Sequence, residues 1–417
     1  MQSPDSEIEL PVVIPEIICY NKERDVSVGI LIRIEENVMK TIGYVIFAWI
    51  YDLCCFFCRV HPGKIVLWNG HNHGVNGNLE EIRKAYQDKE GYVIRILVKR
   101  DLFRNPDTGV RKPLGALLGD VVLFFVIFPY HMATAEKVFM NDNFLPLCHM
   151  NTKKRQTQYI QLWHGAGAFK RFGLSTETDP SVAETVRKAN RRITHLFVTS
   201  KHIAPYYEEA FAVSPDRIYP AGIPVTDIYF ETEEMERRKE MFYKKYPELI
   251  GKKLLLYAPT FRRTDEENQN ILKQFDILKI QEILGNDWVI VIKMHPKFPA
   301  KNIMQNKFCY DMTNYNDITD LYLVSDMLIT DYSSCVVEYV LLDKPILLFA
   351  YDLPEYDRGF YFDYESMMPG EIAHSQEELF QFLQKKCDNI PKRQNFVKFQ
   401  YDNIKGNATR RILDILG

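Results

Sequence analysis

The sequence predicts an α/β protein built on two doubly wound sheets. Three observations carry that expectation. Short apolar runs rich in Val, Ile and Leu alternate with stretches of helical spacing. Several of these runs end directly in loops of glycine, serine, histidine or arginine, where open α/β sheets hold their ligands. A chain of 417 residues is too long for one ordinary core, so two domains, or two plus an appendage, are expected. The composition agrees: 46% hydrophobic and 26% charged residues describe a folded protein, which excludes a disordered chain. A net charge of -3 gives no reason to expect nucleic acid as a partner. Eight cysteines without framework spacing point to a reducing compartment. Met1 to Ile14 lacks the basic start and continuous apolar core of a cleavable signal, so a cytoplasmic location is expected.

Residues 1–36 hold two apolar stretches, Leu10 to Ile18 and Val26 to Ile34, and the alternation in the second predicts a half-buried strand. Val38 to Val60 is apolar and aromatic but interrupted by Asp52, a little short of the roughly 20 apolar residues that span a bilayer. A buried core helix, an interfacial helix carrying Tyr44, Trp49, Tyr51 and Phe56, and a true span all fit it. Cys54, Cys55 and Cys58 lack a second pair and read as ordinary thiols. Lys64 to Asn69 is the first clear strand, running into a glycine-rich loop, Gly70 to Asn78, ahead of a helix near Leu79. The loop is not a dinucleotide fingerprint, and His71 and His73 lack a third metal ligand. Tyr92 to Val98 is a strand, Leu114 to Phe128 an apolar helix or strand, and Lys137 to Met140 a strand ending in Asn141-Asp142-Asn143.

Tyr159 to Leu162 leads into Trp163-His164-Gly165-Ala166-Gly167-Ala168-Phe169-Lys170, which places a histidine at a strand's carboxyl end. His164 is either a catalytic or a structural histidine, and Gly165 and Gly167 permit close approach of a ligand. A basic helix around Arg187 to Arg192, a strand Leu196 to Thr199, a helix from Pro205 and a strand Arg217 to Tyr219 follow, and Gly222-Ile223-Pro224 closes the first domain. The charged helix Thr232 to Tyr246 then acts as a linker. In the second domain, Lys253 to Tyr257 ends in Thr260, Arg262 and Arg263, and Val289 to Met294 ends in His295. Met327 to Ile329 ends in Thr330-Asp331-Tyr332-Ser333-Ser334, ahead of a helix over Val336 to Leu342 and a strand over Pro345 to Phe349. That last turn reads as a helix-start anion site, or as a plain cap by Asp331 or Ser333. Arginine, histidine and paired serines at three strand ends together suit a phosphate or diphosphate.

Six stretches, QLWHGAGAFKRFG, VTSKHI, YAPTFRR, KMHP, SDMLITDYSS and KPILLFAYDLPEYDRGFYFDY, resemble the CDP-glycerol glycerophosphotransferase family of teichoic acid synthesis in residues and order, from Lys64 to Tyr364. The resemblance implies a GT-B-like fold: two Rossmann-like domains facing a cleft, with an N-terminal membrane-associated appendage. The expected divisions are an appendage over 1–62, an acceptor-side domain over 63–231, a CDP-glycerol domain over 232–393 and a helix over 394–417 packing back. It implies transfer of glycerol phosphate from CDP-glycerol to a hydroxyl of a lipid-linked (undecaprenyl diphosphate) or glycan acceptor, with release of CMP. The enzyme would then be peripheral on the inner face of the cell membrane, which favours the interfacial reading of Val38 to Val60. The family's base maps to His164 and its second active-site histidine to His295. Arg262, Ser333 and Ser334 map to diphosphate contacts, Asp331 to that loop's orientation or a ligand hydroxyl, and Gly165 and Thr330 to the substrate-binding set. No cofactor is required, and dependence on a divalent cation is open. After the Gly-x-Pro turn the family often has an arginine and an asparagine where this chain has Val225-Thr226-Asp227, which puts a donor contact in doubt. The alternatives are a CDP-ribitol-dependent ribitol phosphate transferase, a GT-B glycosyltransferase using a nucleotide sugar, and a relative that only binds.

Overall fold

Among the described residues, twelve short strands, most of them apolar runs of four to six residues, fold into two wholly parallel sheets. In this computed structural model, residues 24–70, 75–99, 112–152, 156–295, 303–403 and 405–417 are described, with side chains except those of 24–38 and 265. The first sheet contains β1 (Lys64–Asn69), β2 (Val93–Val98), β3 (Lys137–Met140), β4 (Gln158–Gln161), β5 (His195–Phe197) and β6 (Ile218–Tyr219), in the order β2-β1-β3-β4-β5-β6. The second contains β7 (Lys253–Tyr257), β8 (Trp288–Ile292), β9 (Cys309–Asp311), β10 (Met327–Thr330), β11 (Ile346–Phe349) and β12 (Glu371–Ala373), in the order β12-β11-β10-β7-β8-β9. β1, β3, β10 and β11 are buried at every position, as parallel strands covered by helices on both faces must be. Because all strands in a sheet point one way, the loops after them collect at one edge. The chain reverses its direction of winding between β1 and β3 in the first sheet and between β7 and β10 in the second, and such switch points are where open sheets leave a crevice.

Val26 to Ile34 is a correction: it lies within a single helix, Arg24–Phe57, and forms no strand. A short run of Val and Ile satisfies both periods, and continuity with the helical stretch downstream decides it. Leu10 to Ile18, His71 and His73 lie outside the described residues. The Arg24–Phe57 helix has two faces. Phe47, Ala48 and Tyr51 are buried against the first sheet, where Phe47 packs on Phe124 and Phe144, and the Tyr51 and Tyr159 hydroxyls meet at 3.1 Å. Each such ring contributes about 1.5–3 kcal/mol by burial. The opposite face exposes Met39, Trp49, Phe56 and Phe57. Leu114 to Thr134 is helical throughout, as Leu114–Val122, a π-turn Leu123–Ile127 and Phe128–Thr134. Pro129 has no N–H to complete the regular ladder, and the wider turn just before it absorbs that break.

The chain end forms two helices, Ile390–Tyr401 and Ala408–Leu416, where the sequence suggested one. The first starts on the second half, where the Arg393 guanidinium donates to Asp343. The second buries Ile412 and Leu416 in the first half with Ile65 and Leu67. Asp227 receives the backbone N–H groups of Ala408 (2.6 Å) and Thr409 (2.9 Å), so the position in doubt after the Gly-x-Pro turn serves as a cap for this last helix.

Candidate active site

At the switch point of the second sheet, Arg262 follows β7, Asp331 follows β10 and Asp352 follows β11. The Arg262 guanidinium donates to Asp331 Oδ2 (2.8 Å), to both oxygens of Asp352 (2.7 and 3.0 Å) and to the Thr260 carbonyl (2.6 Å). Asp331 Oδ1 receives the Thr260 N–H at 2.7 Å, and the Tyr332 hydroxyl donates to Asp352 Oδ1 at 3.0 Å. Burial works against the charge on Arg262, which is 8% exposed, but the two carboxylates outweigh it and hold the guanidinium firmly protonated. Its planar fork is engaged by two carboxylates, so the trio braces three neighbouring strand ends.

Thr330 is also turned inward. Its hydroxyl donates to the Ala258 carbonyl at 2.7 Å and is fully buried. Ser333 is half-buried and Ser334 exposed, and the Cys335 N–H reaches Ser333 Oγ at 3.5 Å. The helix behind them, Cys335–Tyr339, has only five residues before a 3₁₀ turn, and neither Asp331 nor Ser334 caps it. A helix this short sums few peptide dipoles, so the helix start adds little to what this turn could offer an anion. The serines remain as hydroxyls on a surface loop.

His295 lies just beyond β8, exposed, with its ring 5.5 Å from that of Phe261. The strand ends of β7 and β8 therefore lie side by side, as their pairing requires. Pro296 and Lys297 lie outside the described residues.

In the first half, His164 follows β4 by way of Trp163, whose φ of +57° is unusual for so bulky a residue. The Trp163 N–H donates to Gln161 Oε1 at 2.8 Å, and its ring is held by Phe172 (5.6 Å) and Phe211 (5.1 Å). Strained backbone of this kind persists where packing over-determines it. His164 is exposed, and its ring stacks on Trp163 at 4.0 Å. Its Nδ1 meets the carbonyl of Asn141 at 3.2 Å. A carbonyl only accepts, so Nδ1 carries the proton and the lone pair of the neutral ring sits on Nε2. Asn141 is fixed in turn by Asn69 (2.9 Å) and the Gly70 N–H (2.9 Å). The signal for this anchoring was an asparagine at the end of β3, a common enough feature that it carried no role in the sequence.

The loop after His164 crosses to the other half. The Tyr361 N–H donates to the Phe169 carbonyl (2.8 Å), the Arg171 N–H to the Gly359 carbonyl (3.1 Å), and Lys170 bridges antiparallel to Phe360. Gln400 holds Ala168 from both sides, accepting its N–H (3.0 Å) and donating to its carbonyl (2.8 Å). Gly167, at φ +56°, is pressed so close that a Cβ would lie 2.1 Å from Gln400 Oε1 and 2.8 Å from Val337 Cγ1. Gly165 has open space in the same place, and its carbonyl accepts from Tyr207 at 3.3 Å. The loop bearing His164 is thereby docked against the helix that follows Ser333 and Ser334. Lys170 at its far end, given no role by the sequence beyond its place in the motif, has Asp331, Arg262, Arg358 and Cys335 as its electrostatic neighbours. Among the described residues no group of three or more His, Cys, Asp or Glu could hold a metal ion.

A family model described as CDP-Glycerol:Poly(glycerophosphate) glycerophosphotransferase matches residues 54–416. The teichoic acid poly(ribitol-phosphate) polymerase of Bacillus spizizenii is 30% identical over 376 residues, which are 88% of this chain and 58% of that protein. The chain thus spans less than two thirds of this relative's length. The teichoic acid ribitol-phosphate primase of the same organism is 30% identical over 89% of this chain and 95% of its own. Among solved structures, the wall teichoic acid polymerase TagF superposes with a TM-score of 0.71 at 24% identity, covering 95% of this chain and 98% of that one. That likeness establishes a shared GT-B-like fold.

Proposed function

Because the chain belongs to the CDP-glycerol glycerophosphotransferase family, we propose that it moves glycerol phosphate from CDP-glycerol to a hydroxyl of a lipid-linked or glycan acceptor in teichoic acid synthesis, releasing CMP. The observation that carries the reading is the docking of the His164 loop, from the first sheet, against the helix that follows Ser333 and Ser334 in the second half and against the Gly359–Tyr361 segment. In the reaction, the acceptor hydroxyl gives its proton to His164 Nε2 and its oxygen attacks the β-phosphorus. The bond from that phosphorus to the bridging oxygen breaks, and CMP leaves with the electron pair. His295, Ser333 and Ser334 line the donor side. Such transfers depend on positioning and on positive charge around the phosphoryl group rather than on covalent chemistry by the protein. No cofactor enters, and histidine and basic side chains suffice for the charge without a divalent cation.

The test is CMP release in separate incubations with CDP-glycerol and CDP-ribitol, each with and without chelator. Turnover of CDP-glycerol that survives the chelator is expected. The ribitol reading is favoured by the two relatives above, a poly(ribitol-phosphate) polymerase and a ribitol-phosphate primase, and preference for CDP-ribitol would select it. No CMP release and no transfer of polyol phosphate from either donor, with transfer of a sugar from a nucleotide sugar instead, would sink both.

We further propose that the protein rests on the inner membrane surface through paired apolar helices. Met39–Phe57 and Leu114–Thr134 are each long and apolar enough to cross a membrane by length and composition, but each also buries part of its surface against the first sheet. Their outer faces expose Trp49, Phe56, Phe57, Leu114, Leu118 and Val122, a set suited to a bilayer interface. Removing the whole helix would take Phe47 and Tyr51 from the core, so surface substitutions are the informative variants. Trp49→Glu, Phe56→Glu and Phe57→Glu together are expected to lower partition onto phosphatidylglycerol vesicles by more than about tenfold with the unfolding midpoint unchanged. Wild-type partition by the triple variant would refute membrane docking by this face.

A further inference from the structure

We propose that Lys170, with Arg358 beside it, supplies the positive charge that meets the donor's phosphate. The inference deepens the transferase reading and rests on it. Arg262, the cation expected there, is occupied by Asp331 and Asp352. Lys170 arrives from the opposite half, six residues beyond His164 on the same docked loop, and its backbone is fixed by the bridge to Phe360 and the bonds on either side of it. Its ammonium faces Arg358 from the Gly359 segment, Asp331 from the turn after β10, Cys335 from the short helix and Arg262 from the loop after β7. The side chain is half-buried, and no ion pair involves it among the described residues.

Lys170 is half-buried, and repulsion from the exposed Arg358 outweighs the attraction of Asp331. Burial first, and Arg358 second, pull the Lys170 ammonium down to about 8. A diphosphate between them relieves both effects, and lysine suits the task as a compact point charge. Lys170 keeps its proton throughout, and its role is to hold and stabilise the phosphoryl group while His164 takes the acceptor proton.

The experiment measures binding of CDP-glycerol and of cytidine by calorimetry, together with CMP release, for wild type, Lys170→Met and Lys170→Arg. Lys170→Met is expected to weaken CDP-glycerol binding by at least about tenfold, the scale of one charge-assisted contact, to leave cytidine binding unchanged, and to lower CMP release. Lys170→Arg is expected to restore most of the affinity. The wild-type affinity should fall between about pH 7 and about pH 9 as the lysine deprotonates, and Lys170→Arg should show no such fall. The diphosphate of CDP-glycerol is esterified at both ends and does not titrate there. Wild-type affinity in a folded Lys170→Met, equal loss of cytidine and CDP-glycerol binding, or an unaltered pH profile in Lys170→Arg would each overturn the assignment. Should Lys170→Met fail to fold, the Lys170→Arg profile alone decides. A wild-type protein that binds neither CDP-glycerol nor CDP-ribitol overturns the transferase reading itself, a different result from any of these.

Discussion

His164→Ala is expected to lower CMP release from CDP-glycerol by about 10²–10⁴-fold, the usual contribution of a positioned general base. CDP-glycerol affinity should change little, because the lost group acts on the acceptor's proton. The structural grounds are specific. The Asn141 carbonyl takes the Nδ1 proton, Trp163 supports one face of the ring, and the strained backbone at Trp163 aims the side chain off the end of β4. The ring is exposed and belongs to no core, so the unfolding midpoint should be preserved. Unchanged turnover in the variant would remove His164 as the base.

Arg262→Met is expected to act on stability first. Removing one partner of a buried ion pair strands the other, at a cost of about 3–5 kcal/mol. Here Asp331, 2% exposed, and Asp352 both lose their guanidinium. Denaturant unfolding of Arg262→Met, Asp331→Asn and the double variant measures the coupling, and the double variant should recover part of the loss because only Asp352, the more exposed of the two carboxylates, is then left without its partner. An arginine that serves only to grip the donor would instead lose CDP-glycerol affinity at unchanged stability. That pattern would refute the brace.

Much of the framework was legible in the residues. Runs such as KIVLWN, KLLLY and ILLF have no polar alternation because both faces are covered, and that is the mark of a central parallel strand. β9 and β12 escaped because Cys309–Asp311 and Glu371–Ala373 are too short to show any period. Val26 to Ile34 failed for the related reason that a brief β-branched run fits either structure. At the site, the residue types and their strand-end positions could be read, but their partners could not. Arg262 meets Asp331 across 69 residues and Asp352 across 90, and no local pattern reports such pairings. The same limit hid Lys170, whose meaning comes from what the second sheet places around it. It also made Thr330 look available, when its hydroxyl is closed onto Ala258.

The grip of Gln400 on Ala168 bears on how the two halves could move. A two-domain enzyme of this kind invites the picture of a hinge that opens and parts the base from the donor. Here the loop from Ala166 to Arg171 is tied by main-chain bonds to Gly359 and Tyr361, and by a side-chain amide to the helix Ile390–Tyr401, which is itself secured to Asp343. The same loop is also tied to the first half, where the Tyr207 hydroxyl donates to the Gly165 (3.3 Å) and Gly167 (3.1 Å) carbonyls, so it is anchored to both sheets at once. Rocking the sheets apart would have to break one of these two sets of bonds, so the loop acts as a clasp that resists opening on the side where His164 sits.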